Sequence, residues 1–133
     1  PTVRPYIDSQ ISLAREKGYV ETLYGRKRYL REINSSNAQR RAFSERNAVN
    51  APIQGTSADI IKIAMINIQE AIKTRNLKSR MVLQIHDELV FDVAPGEREN
   101  LEKLVVEIME NVTELKVPLK VECGYGKSWL EAH

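Results

Sequence analysis

The residues best suited to chemistry in this chain are His86, Asp87 and Glu88, which lie between two short apolar runs, Met81 to Ile85 and Leu89 to Val93. Both runs are rich in β-branched and large apolar residues, so they predict two strands joined by a tight hairpin. The turn lifts two adjacent carboxylates out of the sheet on a rigid tip. Carboxylate oxygens suit hard cations, and Mg²⁺ keeps several waters and completes its shell with substrate phosphates. Phosphoryl transfer is the reaction class to which this junction points. A solvated turn without chemistry is the competing reading of these three residues taken alone.

A second set of polar side chains precedes it. Arg46 and Asn50 are four apart and share one helix face, and Gln54 follows in the first turn of the helix expected to begin near Pro52. A surface ion pair with Glu45 or Glu16 is the alternative for Arg46. Charge is unevenly spread: residues 1 to 80 hold 15 Lys or Arg against 7 Asp or Glu, a balance of +8, whereas residues 81 to 133 hold 5 against 11, a balance of −6. The clusters Arg26, Lys27, Arg28 and Arg31, then Arg40, Arg41 and Arg46, favour contacts to a polyanion over mere solvation of helix faces. Tyr24 and Tyr29, set among those cations, can either stack on bases or pack the hairpin.

The elements that must position these groups follow from periodicity and punctuation. Val3, Ile7, Ile11 and Ala14 recur at helical spacing and Gly18 is a stop signal. Tyr19 to Tyr24 and Lys27 to Leu30 predict a hairpin turning at Gly25-Arg26. Asn34 to Asn37 offer N-caps for a helix ending near Asn50, because Pro52 disfavours helix at Ala51. A long helix then runs from Ile53 through Ile72. Past the His86 hairpin, Pro95-Gly96 leads into a helix with Leu101, Leu104, Val105, Ile108, Met109 and Val112 on one face. Pro118 begins a last alternating strand carrying Leu119, Val121 and Cys123, which makes Cys123 a buried structural thiol.

With 133 residues, 42% hydrophobic and 29% charged, the chain has the balance of one soluble globular domain. No apolar run approaches the ~20 residues that span a bilayer, so no membrane partner is expected. A single cysteine with only His86 and His133 excludes an internal disulfide and a zinc-ligand set, and suits a reducing compartment. A chain opening on Pro1 is expected to be a piece of something longer.

Three segments, Gly18 to Leu30 (GYVETLYGRKRYL), Arg46 to Ala58 (RNAVNAPIQGTSA) and Gln84 to Val90 (QIHDELV), together with the closing Gly124 to Leu130, resemble in order and spacing the C-terminal part of family A DNA polymerases, the bacterial polymerase I class. The resemblance covers essentially residues 1 to 133. It implies an α+β fold, an antiparallel palm sheet with a metal-site hairpin packed against long helices, with the adjoining base of the fingers. It implies template-directed nucleotidyl transfer to a primer 3′-hydroxyl by two Mg²⁺ ions, with Asp87 as one of two catalytic Asp residues and Glu88 as the supporting carboxylate. Arg46, Asn50 and Gln54 then correspond to minor-groove contacts near the growing end, and His86 to a position beside the primer terminus. The implied partners are primer-template DNA, deoxynucleoside triphosphates and the remainder of the polymerase chain, in a bacterial cytoplasm at the nucleoid. The family's other Asp, in an Asp-Tyr-Ser pattern, and its nucleotide-gripping fingers helix have no counterpart here, so residues 1 to 133 hold half a metal site and are expected to be inactive alone. A non-catalytic nucleic-acid-binding module is the alternative.

Overall fold

The computed structural model describes residues 2–133, and its chain divides into two compact units, the first ending at Asp59 and the second running from Ile60 to His133. Their elements follow the order α1 (Val3–Lys17), β1 (Tyr19–Glu21), β2 (Lys27–Tyr29), α2 (Ala38–Thr74), β3 (Arg80–Ile85), β4 (Glu88–Asp92) and α3 (Arg98–Glu110). Helices accompany two separate antiparallel pairs, β1 with β2 and β3 with β4, so the class is α+β.

In the first unit, α1 places Pro5 in its opening turn, where a missing N–H breaks no helical bond. It ends at Gly18, whose φ of 78° is the left-handed conformation that glycine adopts without penalty, its N–H returning to the Ala14 carbonyl. Ala14, Val20, Leu30, Ile33 and Ala48 form the core, with Ile11 and Ala51 packed against it. The β1–β2 strands are shorter than periodicity suggests. Thr22 closes the loop by donating its N–H to the Arg26 carbonyl at 3.0 Å, and Gly25 takes φ 80° inside it.

Two elements depart from the sequence expectation. Helix α2 does not break at Pro52 but runs unbroken from Ala38 to Thr74, capped by Asn37, whose Oδ1 accepts the N–H groups of Gln39 and Arg40. An interior proline forfeits one helical hydrogen bond and costs about 3 kcal/mol. Burial offsets that loss, since Ala48 and Pro52 themselves are buried and the apolar stripe resumes at Ile61, Ala64, Ile68 and Ile72. The strand expected at 118–123 is absent. Leu119 and Val121 stay half-buried between exposed Lys120 and Glu122, so the alternation survives as burial, but no neighbouring strand supplies a ladder and Pro118 lacks a donor.

In the second unit, Ala64, Ile68, Ile72, Leu101, Leu104 and Val105 make the core, and Leu89, Phe91 and Val93 of the hairpin pack onto it. One face of β4 is thereby seated. The hairpin's base is pinned separately: the Glu97 carboxylate, at the start of α3, accepts the N–H groups of Lys78 and Ser79 and the Ser79 hydroxyl, while Ser79 Oγ accepts the Ala94 N–H at 2.9 Å. Ser79 is buried, and both its N–H and its hydroxyl are hydrogen-bonded.

Candidate functional site

Pairing in the second hairpin runs Gln84 to Leu89 and Ile85 to Glu88, which leaves His86 and Asp87 as the two turn residues and makes Glu88 the first residue of β4. A β-bulge between Met81 and Leu83 shifts the register of β3 and leaves Val82 and Leu83 exposed. His86 takes φ 53°, a left-handed backbone that a residue with a Cβ seldom adopts. The Gln84 side-chain amide donates to the His86 carbonyl across the turn at 3.1 Å. His86, Asp87 and Glu88 are all exposed, and the Asp87 carboxylate has no ion-pair partner among the described residues.

Glu88 does have a partner, one that the sequence pattern did not disclose. His133 Nε2 lies 3.0 and 3.2 Å from the two Glu88 oxygens, and its Nδ1 lies 3.0 Å from the Trp129 carbonyl. Both partners can only accept, so both contacts are hydrogen bonds only when the ring carries two protons. The Trp129 carbonyl first, and then Glu88, therefore raise the His133 pKa above its ordinary value. The returning terminal turn sits on Gly124 and Gly126: a Cβ on Gly124 would collide with the Ala132 carbonyl, and one on Gly126 would stand 2.5 Å from Glu131 Cβ. The Gly124-Tyr125-Gly126 spacing was the available signal, but only the fold shows what it admits.

A raised imidazole pKa means that the folded contact holds its proton more tightly than a free histidine. Its stabilisation is complete below the ordinary histidine pKa and disappears as pH rises through the folded value. A proton NMR titration of the His133 ring is expected to give a midpoint above the ordinary histidine value of about 6.5, falling back toward it in Glu88→Gln. Identical midpoints in the two chains would remove Glu88 as a cause.

The second set of side chains lies on α2 in the first unit. Because the helix is continuous, Arg46, Asn50 and Gln54 stand at i, i+4 and i+8, one exposed row spanning about 12 Å. The ion pair considered for Arg46 goes elsewhere: Glu45 is taken by Arg15, and the Arg46 guanidinium lies 5.9 Å from the exposed Phe43 ring. The row keeps its polar ends toward solvent.

The cations of the first unit divide into two kinds. Arg26, expected to meet phosphate, also acts as a structural strut: its Nε donates to Asp59 at 2.8 Å and its terminal nitrogen to the Gly55 carbonyl at 3.2 Å. Thr22 donates to the other Asp59 oxygen at 2.7 Å, and the Leu23 N–H donates to Thr56 Oγ1 at 2.9 Å. Gly55 permits this approach, since a Cβ there would stand 2.6 Å from Thr22 Cγ2. Arg41 is similarly engaged with the Ser35 carbonyl, and Arg40 stands 3.8 Å from Glu32 in an exposed pair. Lys27, Arg28 and Arg31 remain exposed without an ion pair among the described residues, Lys27 lying 4.5 Å over the Tyr19 ring. Neither Tyr24 nor Tyr29 is buried; Tyr29 meets Tyr19 edge-on at 5.6 Å.

Cys123 corrects another expectation, because it is exposed rather than buried in a strand. Its thiol pKa is nonetheless raised, by partial desolvation and then by the Glu102 and Glu110 carboxylates, which keeps it a poor nucleophile. Among the described residues no three His, Cys, Asp or Glu side chains gather into a metal-binding group, and no helix is long and apolar enough to cross a membrane. Two hard oxygen donors at the tip match the ligand chemistry of Mg²⁺ but do not complete its shell.

The chain is similar to known proteins over nearly its whole length. The model of DNA polymerase family A matches residues 1–131. DNA polymerase I of Mycobacterium tuberculosis is 54% identical over 127 residues, covering 96% of this chain and 14% of the relative. DNA polymerase I of Bacillus subtilis is 49% identical over 130 residues, 98% of this chain and 15% of that protein. The chain thus spans about a seventh of the length of these relatives. Among solved structures, the POL domain of Pol1 from M. smegmatis in complex with DNA primer-template and dNTP superposes with a TM-score of 0.94 at 54% identity, over 97% of this chain and 23% of that one.

Proposed function

This chain belongs to DNA polymerase family A, and from that membership we propose that residues 1–133 are the C-terminal part of a polymerase domain, palm with the adjoining base of the fingers, in a DNA-directed DNA polymerase. The observation that carries the reading is the two-residue turn presenting Asp87 beside Glu88. The intact enzyme transfers nucleotides to a primer 3′-hydroxyl in the bacterial cytoplasm. Its partners are primer-template DNA and dNTPs, as in the M. smegmatis complex.

Asp87, exposed and without an ion-pair partner among the described residues, offers its carboxylate as a metal ligand, and Glu88 supplies the adjacent charge. When bound, Mg²⁺ supplies Lewis-acid stabilisation of the charge that develops at the transferring phosphate. No Asp-Tyr-Ser pattern occurs in these 133 residues, so the second Asp of the family's metal site would come from elsewhere in the polymerase chain. His133 restrains Glu88 through its imidazole, leaving Asp87 as the uncommitted carboxylate.

The Arg46, Asn50 and Gln54 row provides donors to the primer-template minor groove, and His86 stands by the primer terminus. Minor-groove acceptors are nearly the same for every correct pair, so such donors test pairing geometry while ignoring sequence. Lys27, Arg28 and Arg31 hold the phosphate backbone. The test lies in the intact enzyme: Ala at Arg46, Asn50 or Gln54 should slow extension from paired ends and change discrimination against mismatched ends, each lost donor removing about 0.5 to 3 kcal/mol. Unchanged kinetics on matched and mismatched primers after all three substitutions would make the row merely structural.

A further inference from the structure

Gln84 belongs to the same short motif as the carboxylates, and its exposed position gives it no core to fill. Its amide donates to the His86 carbonyl at 3.1 Å. That carbonyl belongs to the peptide plane that joins His86 to Asp87. Holding the plane restricts ψ of His86 and φ of Asp87 together, and with them the direction in which the Asp87 side chain departs. His86 needs such help, because φ 53° is disfavoured for a residue with a Cβ. The turn's other resident, Asp87, has no side-chain hydrogen bond among the described residues that could do the same work.

We propose that Gln84 is a positioning residue for the tip, holding the left-handed turn through the His86 carbonyl and so aiming Asp87; the functional consequence rests on the reading of Asp87 as a metal ligand. The bond has water as its competitor, so its contribution is modest and measurable. Leu at this position keeps the bulk and removes the donor, whereas Glu keeps the acceptor and removes the donor. Gly at position 86 adopts positive φ unaided and should make the clamp redundant.

The test combines two readouts. Residual dipolar couplings on the full chain give the backbone angle at His86, which should leave the left-handed region in both Gln84→Leu and Gln84→Glu. In the intact polymerase, the Mg²⁺ concentration for half-maximal incorporation should rise roughly two- to tenfold in Gln84→Leu. The rise should shrink to under about twofold when His86→Gly is the background, since glycine pays no steric penalty at positive φ. A left-handed His86 that persists in both Gln84 variants overturns the clamp whatever the activity. A changed turn with an unchanged Mg²⁺ requirement overturns the aiming of Asp87. If Asp87→Ala leaves incorporation intact, the metal reading fails while the backbone result still decides the clamp.

Discussion

Asp87→Ala in the intact polymerase is expected to cut nucleotide incorporation by about 10² to 10³ or more, the cost of removing a group that stabilises transition-state charge, while affinity for primer-template DNA changes little. The separation follows from where the side chain is. Asp87 stands at the exposed end of a two-residue turn, away from the core of Ala64, Ile68, Ile72, Leu101, Leu104 and Val105 that holds the second unit together. Its removal therefore takes away a carboxylate and almost no packing. The basic groups that would meet DNA phosphates lie in the first unit and are untouched. By the same logic residues 1–133 are expected to be inactive by themselves, since one Asp with a neighbouring Glu does not fix two ions. Single-turnover incorporation and DNA affinity measured side by side check this; equal loss in both would show that Asp87 supports the fold.

The second large effect is electrostatic. Binding of duplex DNA by this chain should weaken steeply with salt, by a logarithmic slope of about 0.9 for each phosphate neutralised. Lys27, Arg28 and Arg31 are exposed and without ion pairs among the described residues, so replacing all three by Ala should flatten the slope by up to about 2.7, three times that increment. Arg26 is left out for a structural reason. Its guanidinium also braces Asp59 and the Gly55 carbonyl, so Arg26→Ala would loosen the hold of the hairpin on α2 as well as remove a charge. Fluorescence anisotropy across a salt series reads the slope directly. An unchanged slope in the triple variant would place the phosphate contacts elsewhere.

Much of this arrangement was legible from residue pattern. Gly18 ended α1, Asn37 capped α2, and the helical spacing from Leu101 to Val105 marked the face of α3 that is buried. The His86-Asp87 turn could be read because β-branched runs flank it on both sides. What could not be read depended on partners distant in sequence. Pro52 argues for a break in any isolated helix, and only burial on both sides of it explains continuity. Residues 118–123 alternate like a strand, yet a strand exists only where another accepts its ladder. Arg26 looked like its neighbours Lys27 and Arg28 because Asp59 lies 33 residues away along the chain. His133 looked like an isolated histidine because its contact with Glu88 spans 45 residues and requires Gly124 to admit the returning turn.

Whether the β3–β4 tip carries a metal ligand of a polymerase active site is decided by the ions it binds. Electron paramagnetic resonance of Mn²⁺, used in place of Mg²⁺, counts bound ions in the intact enzyme with primer-template and a non-hydrolysable dNTP. Asp87→Asn preserves the turn and the side-chain volume while removing the charge. This substitution is expected to abolish or sharply weaken tight Mn²⁺ binding; an unchanged number and affinity of bound ions would contradict the metal-ligand role of Asp87 and leave the tip a solvated turn.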